Sequence, residues 1–187
     1  MTLPLAGRTA VVTGASRRKG IGFAVASRLA SMGASIFVHH FSPHDADQPW
    51  GDDDLDAVLA ALRPHLTEGA RLAEASIDLA ADDGAARLIS EAGEALGHLD
   101  ILVCNHARSG GDGTLDELTP AMLDAHWQVN ARSTLLATQA FAAQHDGREG
   151  GRVIWFTSGQ VLGPMPGELA YATSKAALAG ITSSVAR

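Results

Sequence analysis

The sequence predicts an α/β fold, in which helices cover both faces of a parallel sheet. Five short apolar runs, most of them rich in β-branched residues, alternate with Ala/Leu-rich stretches of helical periodicity. This alternation is typical of parallel sheets, because each helix returns the chain across one face of the sheet. We therefore predict one doubly wound, Rossmann-type domain over residues 1–187, which ends after the fifth strand and the helix that follows it.

The first half of the chain contains three predicted strands and two predicted helices. Apolar runs at 9–13 and 35–38 predict buried strands, and a more polar run at 72–77 predicts a third. Ile21, Val25 and Leu29 recur on one stripe of a helix over 21–32, which Gly33 follows as a C-cap. A second helix is expected over 55–66, broken or kinked around Pro64.

The second half contains two further strands, at 101–104 and 153–156, and three helices. A helix is predicted over 82–96. Thr119 and Pro120 are the residue types of an N-cap and a first helical position, so a long helix is expected from 120 to about 144. The last helix contains Tyr171 and runs into the C-terminus. In the loop before the long helix, Asp112 is expected to face solvent.

The composition argues against several classes of function. The formal net charge of −7 disfavours nucleic acid or an anionic membrane surface as the main partner. Cys104 is the single cysteine, so an intrachain disulfide is impossible and a reducing compartment is expected. No signal peptide or apolar run of membrane-spanning length is visible, so we predict a cytoplasmic protein without a membrane partner. No metal site is predicted, because His39 and His40 have no further ligand at suitable spacing.

A Gly-rich turn, residues 13–22, joins the first strand to the first helix. Glycines at this position allow a tight turn and a close approach of the backbone to a pyrophosphate. The start of the helix offers free N–H groups and the positive end of its dipole. We expect the dinucleotide contacts of the turn to come from Gly14, Ser16, Arg17, Arg18, Lys19, Gly20, Ile21 and Gly22.

The charges around this turn favour NADP(H) over NAD(H). Arg17, Arg18 and Lys19 are basic residues in an acidic chain, and the forked donors of arginine suit a phosphate. The end of the second strand lacks the acidic residue that NAD enzymes use for the ribose hydroxyls. His40 and Ser42 are expected to face a 2′-phosphate there instead. Residues 44–56 remain open between a solvated loop and a cover over the adenine end of the cofactor.

Tyr171 and Lys175 lie four residues apart in a predicted helix, which places them on one helical face. A phenol, with a reference pKa of about 10, is a poor acid–base catalyst at neutral pH. A nearby ammonium favours the phenolate and lowers that pKa. Ser158, from a separate loop upstream, would supply a hydroxyl to a substrate oxygen. These residues predict proton transfer to or from a carbonyl or an alcohol.

With these motifs in view, the chain resembles the short-chain dehydrogenase/reductase family over essentially its whole length. The Gly-rich turn is similar to the family's Thr-Gly-x-x-x-Gly-x-Gly pattern, with two residues inserted. Asn130, Ser158, Tyr171 and Lys175 match the catalytic tetrad in order and spacing. The residues around Ser158 also look like the 3-oxoacyl-(acyl-carrier-protein) reductase-like branch. Family members usually continue after the last helix with two more strands and a substrate lid.

The resemblance also implies further cofactor contacts. Asp78, with Leu79, stands where the family has an acidic residue that caps the adenine ring. Asn105, His106 and Ala107 stand in the family's Asn-Asn-Ala-Gly segment. Two residues depart from that segment, because Cys104 replaces its first Asn and His106 replaces a small Ala.

In the family, the tyrosine donates a proton to the carbonyl oxygen as hydride arrives from the nicotinamide, and takes it back in the reverse reaction. The resemblance implies this role for Tyr171. Lys175 would lower the Tyr171 pKa and bind the nicotinamide ribose, Ser158 would bind the substrate oxygen, and Asn130 would hold a water that links Lys175 to solvent. Pairing of the long helices would give a homodimer or homotetramer.

Three functions remain open from the sequence. The leading one is an NADP(H)-dependent oxidoreductase that interconverts a small-molecule carbonyl and an alcohol. The second is a nucleotide-binding sensor or scaffold without turnover, which the changes at Cys104 and His106 favour. The third, sugar-nucleotide epimerase chemistry, uses a related site but normally a longer chain.

Overall fold

The computed structural model describes residues 3–186, so residues 1, 2 and 187 of the predicted domain lie outside the described part. Five parallel strands form one sheet in the order β3-β2-β1-β4-β5. This confirms the predicted α/β, Rossmann-like fold. The strands are β1 (Thr9–Val12), β2 (Ser35–His40), β3 (Leu72–Ser76), β4 (Ile101–Cys104) and β5 (Arg152–Trp155).

Strand β1 lies in the centre of the sheet, so its side chains are buried on both faces. Val11 is opposite Phe37 of β2 on one side and Leu102 of β4 on the other. The chain therefore leaves β1 toward one edge of the sheet and later returns to its other side. Such a reversal of strand order opens a crevice at the carboxyl ends of the strands, where ligands bind in folds of this type.

Two helical layers cover the sheet. On one face, α1 (Ile21–Ser31) and α3 (Leu55–Leu62) pack on a core that includes Val12, Ile36 and Val103. On the other, α4 (Gly84–Leu96) and α6 (Ser133–Gln144) pack on a core that includes Val11 and Leu102. The remaining helices are α2 (Ser42–Ala46), α5 (Pro120–His126) and α7 (Leu169–Val185). Within residues 3–186, no helix is both long and apolar enough to cross a membrane.

The predicted long helix over 120–144 is interrupted. Thr119 caps its start as expected, since its hydroxyl accepts a hydrogen bond from the Met122 N–H at 3.2 Å. A π-helical segment, Trp127–Arg132, then separates α5 from α6. Such wide turns are rare and often occur at functional sites. Here the segment contains Asn130, whose side chain is fully buried.

Candidate active site

A cavity of about 530 Å³ opens at the carboxyl ends of β1, β2 and β4, a size typical of small-molecule and cofactor sites. It lies at the reversal of strand order, where the fold is expected to bind a ligand. Most of the predicted cofactor residues line it: Gly14, Ser16, Arg17, Lys19, Gly20, Ile21, Asp78, Leu79, Asn105, His106, Ala107 and Tyr171.

The Gly-rich turn packs too closely against the end of β4 to accept larger residues. Gly14 has a φ of +65°, and a Cβ on it would lie 2.7 Å from the His106 Cα. A Cβ on Gly22 would lie 2.5 Å from the Gly14 carbonyl oxygen. The Asn105 side chain donates hydrogen bonds to the carbonyls of Thr13 and Gly14, at 3.0 and 2.9 Å. The Asn105 side chain thus holds the shape of the turn by binding the backbone carbonyls of Thr13 and Gly14.

The start of α1 suits a negatively charged group. Its N-cap is Gly20, no side chain caps it, and no acidic residue lies in its first turn. Lys19, Gly20 and Ile21 all line the cavity. Uncapped N–H groups and the positive end of the helix dipole favour phosphate at this place. The described residues therefore fit the pyrophosphate of a dinucleotide.

Five predicted cofactor residues do not line the cavity: Arg18, Gly22, His40, Ser42 and Lys175. Arg18 is exposed and binds Asp53, with its backbone N–H 2.7 Å and its Nε 3.2 Å from Asp53 Oδ2. Gly22 packs beneath the turn, and Ser42 begins α2. The expectation that His40 faces the cavity is corrected by the structure, because its Nε2 lies 2.8 Å from Glu74 Oε2.

His39 takes the position that was expected for His40. Strand β2 extends to residue 40, and side chains alternate along a strand, so neighbouring histidines point to opposite faces. His39 Nδ1 accepts a hydrogen bond from the Gly14 N–H at 3.2 Å, and its Nε2 donates to the Ile77 carbonyl at 2.8 Å. Burial lowers the pKa of His39 to about 4, so its imidazole braces the Gly-rich turn as a neutral group.

His106 joins the ends of β1 and β4 to the π-helical segment. Its Nδ1 lies 2.6 Å from the Thr13 hydroxyl, and its Nε2 lies 2.7 Å from the Ser133 hydroxyl and 3.0 Å from the Val129 carbonyl. Burial lowers the pKa of His106 to about 3. The bulk that this histidine adds is therefore used for packing and hydrogen bonding. Burial also raises the pKa of the Cys104 thiol to about 12, as expected of an unreactive cysteine.

These two buried histidines predict a loss of stability in mild acid. In an unfolded chain a histidine titrates near pH 6.5, whereas His39 and His106 stay neutral in the fold to about pH 4 and about pH 3. Below pH 6.5 the unfolded state binds protons that the folded state does not, so the free energy of unfolding falls as the pH decreases. We expect up to about 1.4 kcal/mol per pH unit for each imidazole.

Urea unfolding at a series of pH values from 7 to 4 measures this slope. A His106→Ala variant should have a shallower slope because one titrating group is gone. Ile89→Val in the core provides the control, since it lowers stability slightly without removing a titrating group and should leave the slope unchanged. An equal slope in the wild type and His106→Ala would show that His106 is protonated in the folded state as readily as in the unfolded chain.

Tyr171 and Lys175 lie on one face of α7, as the spacing predicted. Tyr171 is partly buried and lines the cavity. Lys175 is 2% exposed, and its Nζ donates a hydrogen bond to the Phe156 carbonyl at 3.0 Å. The same Nζ lies 5.9 Å from the centre of the Tyr171 ring. Burial lowers the pKa of Lys175 to about 8, because the charged ammonium loses its hydration there.

Asn130 connects this helix to the loop after β4. Its amide oxygen accepts a hydrogen bond from the Arg108 N–H at 2.6 Å, and its amide nitrogen donates to the Arg108 carbonyl and to the Ser174 hydroxyl, at 3.1 and 2.9 Å. Both N–H donors of the amide are therefore used within the protein. Ser174 precedes Lys175, so Asn130 holds α7 next to the lysine.

Of the tetrad, Tyr171 alone lines the cavity among the described residues; Asn130 and Lys175 do not, and neither does Ser158. It lies just before a short 3₁₀ turn, Gly159–Val161, and is partly buried. It is not among the described residues that line the cavity with Tyr171. Beyond it the loop is open to solvent, and Leu162 is 92% exposed.

Asp112 is a site residue that sequence reasoning missed. Instead of facing solvent, its side chain is 3% exposed and caps the start of α7. It accepts hydrogen bonds from the backbone N–H groups of Ala170 at 2.9 Å, Tyr171 at 2.7 Å and Gly113 at 2.8 Å. Burial alone would raise the pKa of Asp112, but these bonds hold it below its usual value. No local sequence signal identifies this cap, because it lies far from α7 along the chain.

Residues 42–53, named here the covering segment, fold over the Gly-rich turn. His44, Asp45 and Trp50 of this segment line the cavity, and Phe41 precedes them. Asp53 holds Arg18 on the outer side. Of the two readings left open by the sequence, the structure thus supports a cover at this end of the cavity over a purely solvated loop.

The model of the short chain dehydrogenase family matches residues 8–187. The chain is 35% identical over 182 residues to an uncharacterized oxidoreductase, YjdA, of Bacillus subtilis, covering 96% of this chain and 68% of that protein. It is 31% identical over 183 residues to dehydrogenase/reductase SDR family member 4 of Homo sapiens, covering 98% of this chain and 61% of that protein.

Solved structures give the same result. A 3-oxoacyl (acyl-carrier-protein) reductase of Agrobacterium tumefaciens, solved with NADP bound, is 34% identical with a TM-score of 0.81; the match covers 100% of this chain and 66% of that one. A dehydrogenase/reductase of Sinorhizobium meliloti is 36% identical, also with a TM-score of 0.81, and the match covers 100% and 68%. The chain spans 61% to 68% of the length of these four relatives. From its sequence and its fold, the chain belongs to the short-chain dehydrogenase/reductase family of oxidoreductases.

Proposed function

We propose that this chain forms the cofactor and proton-transfer site of an NADP(H)-dependent oxidoreductase that interconverts a carbonyl and an alcohol. The observation that carries the proposal is the position of Tyr171, which lines a cavity fit for a dinucleotide while the buried Lys175 lies one turn behind it. A packed aromatic residue alone would not require a buried ammonium at this place.

The Gly-rich turn and the start of α1 would hold the pyrophosphate, and Asp78 and Leu79 would lie beside the adenine. The bound cofactor would supply or accept the hydride. The protein groups would act on the proton: Tyr171 would give its phenolic proton to the substrate oxygen in reduction and take it back in oxidation. The Lys175 ammonium, 5.9 Å from the Tyr171 ring centre, would stabilise the negative charge left on the phenol oxygen.

The other two tetrad members would have supporting roles. Asn130 would keep α7 in register with the loop after β4, and we retain the proposal that it holds a water linked to Lys175. Ser158 would bind the substrate oxygen after its loop moves toward the cavity.

The preference for NADP(H) is supported by the charges of the turn. Arg17 and Lys19 line the cavity, while Arg18 is held outside it by Asp53. The Agrobacterium reductase, whose structure contains NADP, is similar over the whole of this chain. We propose a small-molecule ketone of the 3-oxoacyl type as substrate, neither nucleic acid nor membrane as a partner, and the cytoplasm as location.

We also propose a homodimer or homotetramer. Leu123 and Trp127 are 39% and 45% exposed beside α7, where they line a shallow groove. Exposed large apolar side chains that lie together are typical of subunit contacts. Light scattering of the complete protein measures the oligomeric state directly.

Cofactor titration tests the proposed function. We expect NADPH fluorescence to change with saturation, and NADPH to be oxidised when 3-oxoacyl esters and simple ketones are supplied to the complete protein. Saturable binding without oxidation of NADPH by any ketone would favour the sensor or scaffold instead. No binding of either NADPH or NADH would overturn both.

A further inference from the structure

Asp45 of the covering segment is a carboxylate placed among anion-binding groups. It is 9% exposed and lines the cavity. One carboxylate oxygen accepts a hydrogen bond from the Ser16 hydroxyl. The other lies 3.1 Å from the indole N–H nitrogen of Trp50 and 3.2 Å from Nε of Arg17. The protein thus supplies this anion with a hydroxyl, an indole N–H and a guanidinium.

The same donors would serve a phosphate. Ser16 and Arg17 belong to the Gly-rich turn, and arginine and hydroxyl groups are common phosphate ligands. Arg17 also contacts Trp50, because its guanidinium lies 5.1 Å from the centre of the Trp50 ring. Since Arg18 is paired outside the cavity with Asp53, Arg17 and Lys19 are the basic residues of the turn that remain on the cavity side.

We propose that Asp45 determines cofactor specificity, by competing with the 2′-phosphate of NADP(H) for Ser16 and Arg17. This inference rests on the proposed function. A phosphate brought to these donors must either displace the carboxylate or lie next to it, and like charges in contact weaken binding. A cofactor with free ribose hydroxyls meets no such conflict, because hydroxyls can donate to a carboxylate. Asp45 therefore reduces the advantage that the basic turn gives to NADP(H).

The inference is tested by dissociation constants rather than turnover. For the wild type and an Asp45→Asn variant of the complete protein, the Kd of NADPH and of NADH is measured by fluorescence titration. Asn keeps the size of the side chain but removes its charge. We expect the ratio Kd(NADH)/Kd(NADPH) to rise about tenfold, as for loss of one like charge near a bound phosphate. Competition by 2′,5′-ADP and 5′-AMP should show the same shift.

Asp47→Asn is the matched control. It removes the same charge two residues away, from an exposed position, and should leave the ratio within about twofold of the wild type. Adding Arg17→Met to Asp45→Asn should abolish the gain, since the freed guanidinium is its source. Asp45→Ser serves as a second variant if the asparagine disturbs the covering segment, as judged by thermal unfolding.

The outcomes are distinct. An unchanged ratio in folded Asp45→Asn and Asp45→Ser, or a shift toward NADH, would overturn the role of Asp45 while leaving the proposed function intact. A rise of equal size in Asp47→Asn would show a general charge effect and also overturn it. If no variant binds either dinucleotide, both the proposed function and this inference fail.

Discussion

A Tyr171→Phe variant of the complete protein should lose nearly all turnover, by a factor of about 10² to 10⁴, while its affinity for cofactor stays within about twofold. The change removes only the phenolic oxygen, so the ring still packs 6.5 Å from His126 and the cavity keeps its shape. The loss should appear in kcat, because the proton donor acts in the chemical step. Steady-state kinetics together with NADPH titration measure the two effects.

The control for this variant is Phe141→Leu, in the core cluster on the α4/α6 face and outside the residues that line the cavity. It should lower stability more than Tyr171→Phe does, yet retain most of the activity of the folded protein. If Tyr171→Phe kept more than a tenth of the wild-type kcat, the assignment of Tyr171 as proton donor would be wrong.

An Asp112→Ala variant should be both less stable and less active. The change leaves the N–H groups of Ala170 and Tyr171 without their acceptor, at a cost of about 1 to 3 kcal/mol in the free energy of unfolding. Because one of these groups belongs to Tyr171 itself, the start of α7 should shift and kcat should fall about tenfold or more. Urea unfolding and steady-state kinetics measure the two losses.

Asp116→Ala is the matched control, because Asp116 is an exposed aspartate of the same loop whose carboxylate binds only the nearby Thr114 among the described contacts. It should change kcat by less than about twofold. Cofactor Kd should be unaffected in both variants, which separates a positioning role from damage to the cofactor site. A normal kcat in a destabilised Asp112→Ala variant would show that Asp112 caps α7 without positioning Tyr171 for the reaction.

The fold could be predicted from sequence because its signals are local. The β-branched runs, the helical period of residues 21–32 and the Thr119–Pro120 start each depend on neighbours within a few residues. The buried face of α1 is nevertheless Gly22, Ala26 and Ala30, and Ile21 of the predicted stripe is 61% exposed. The pairing of Tyr171 with Lys175 is local in the same sense, since four residues make one helical turn. These features needed no knowledge of what lies across the molecule.

What sequence reasoning missed depends on contacts between distant segments. Strand β2 is two residues longer than predicted, because it pairs with β3 as far as His40. This extension decides that His39, and not His40, faces the cavity. Asp112 caps a helix that begins more than fifty residues later. The π-helical segment fits the amide of Asn130 to the backbone of Arg108, another long-range match. The periodicity of a sequence does not indicate which distant residues will be in contact.

The His39 imidazole has a consequence for the kinetics of ligand entry. It joins the Gly14 N–H to the Ile77 carbonyl, so the backbone of the Gly-rich turn is fixed at Gly14 before anything binds. A site that is already ordered loses little chain entropy on association. The backbone N–H groups of the turn should therefore bind the pyrophosphate quickly, and the slow step should be the rearrangement of the Arg17 side chain, which Asp45 and Trp50 must release. Stopped-flow mixing would then show a fast phase that depends on concentration, followed by a slower one that does not.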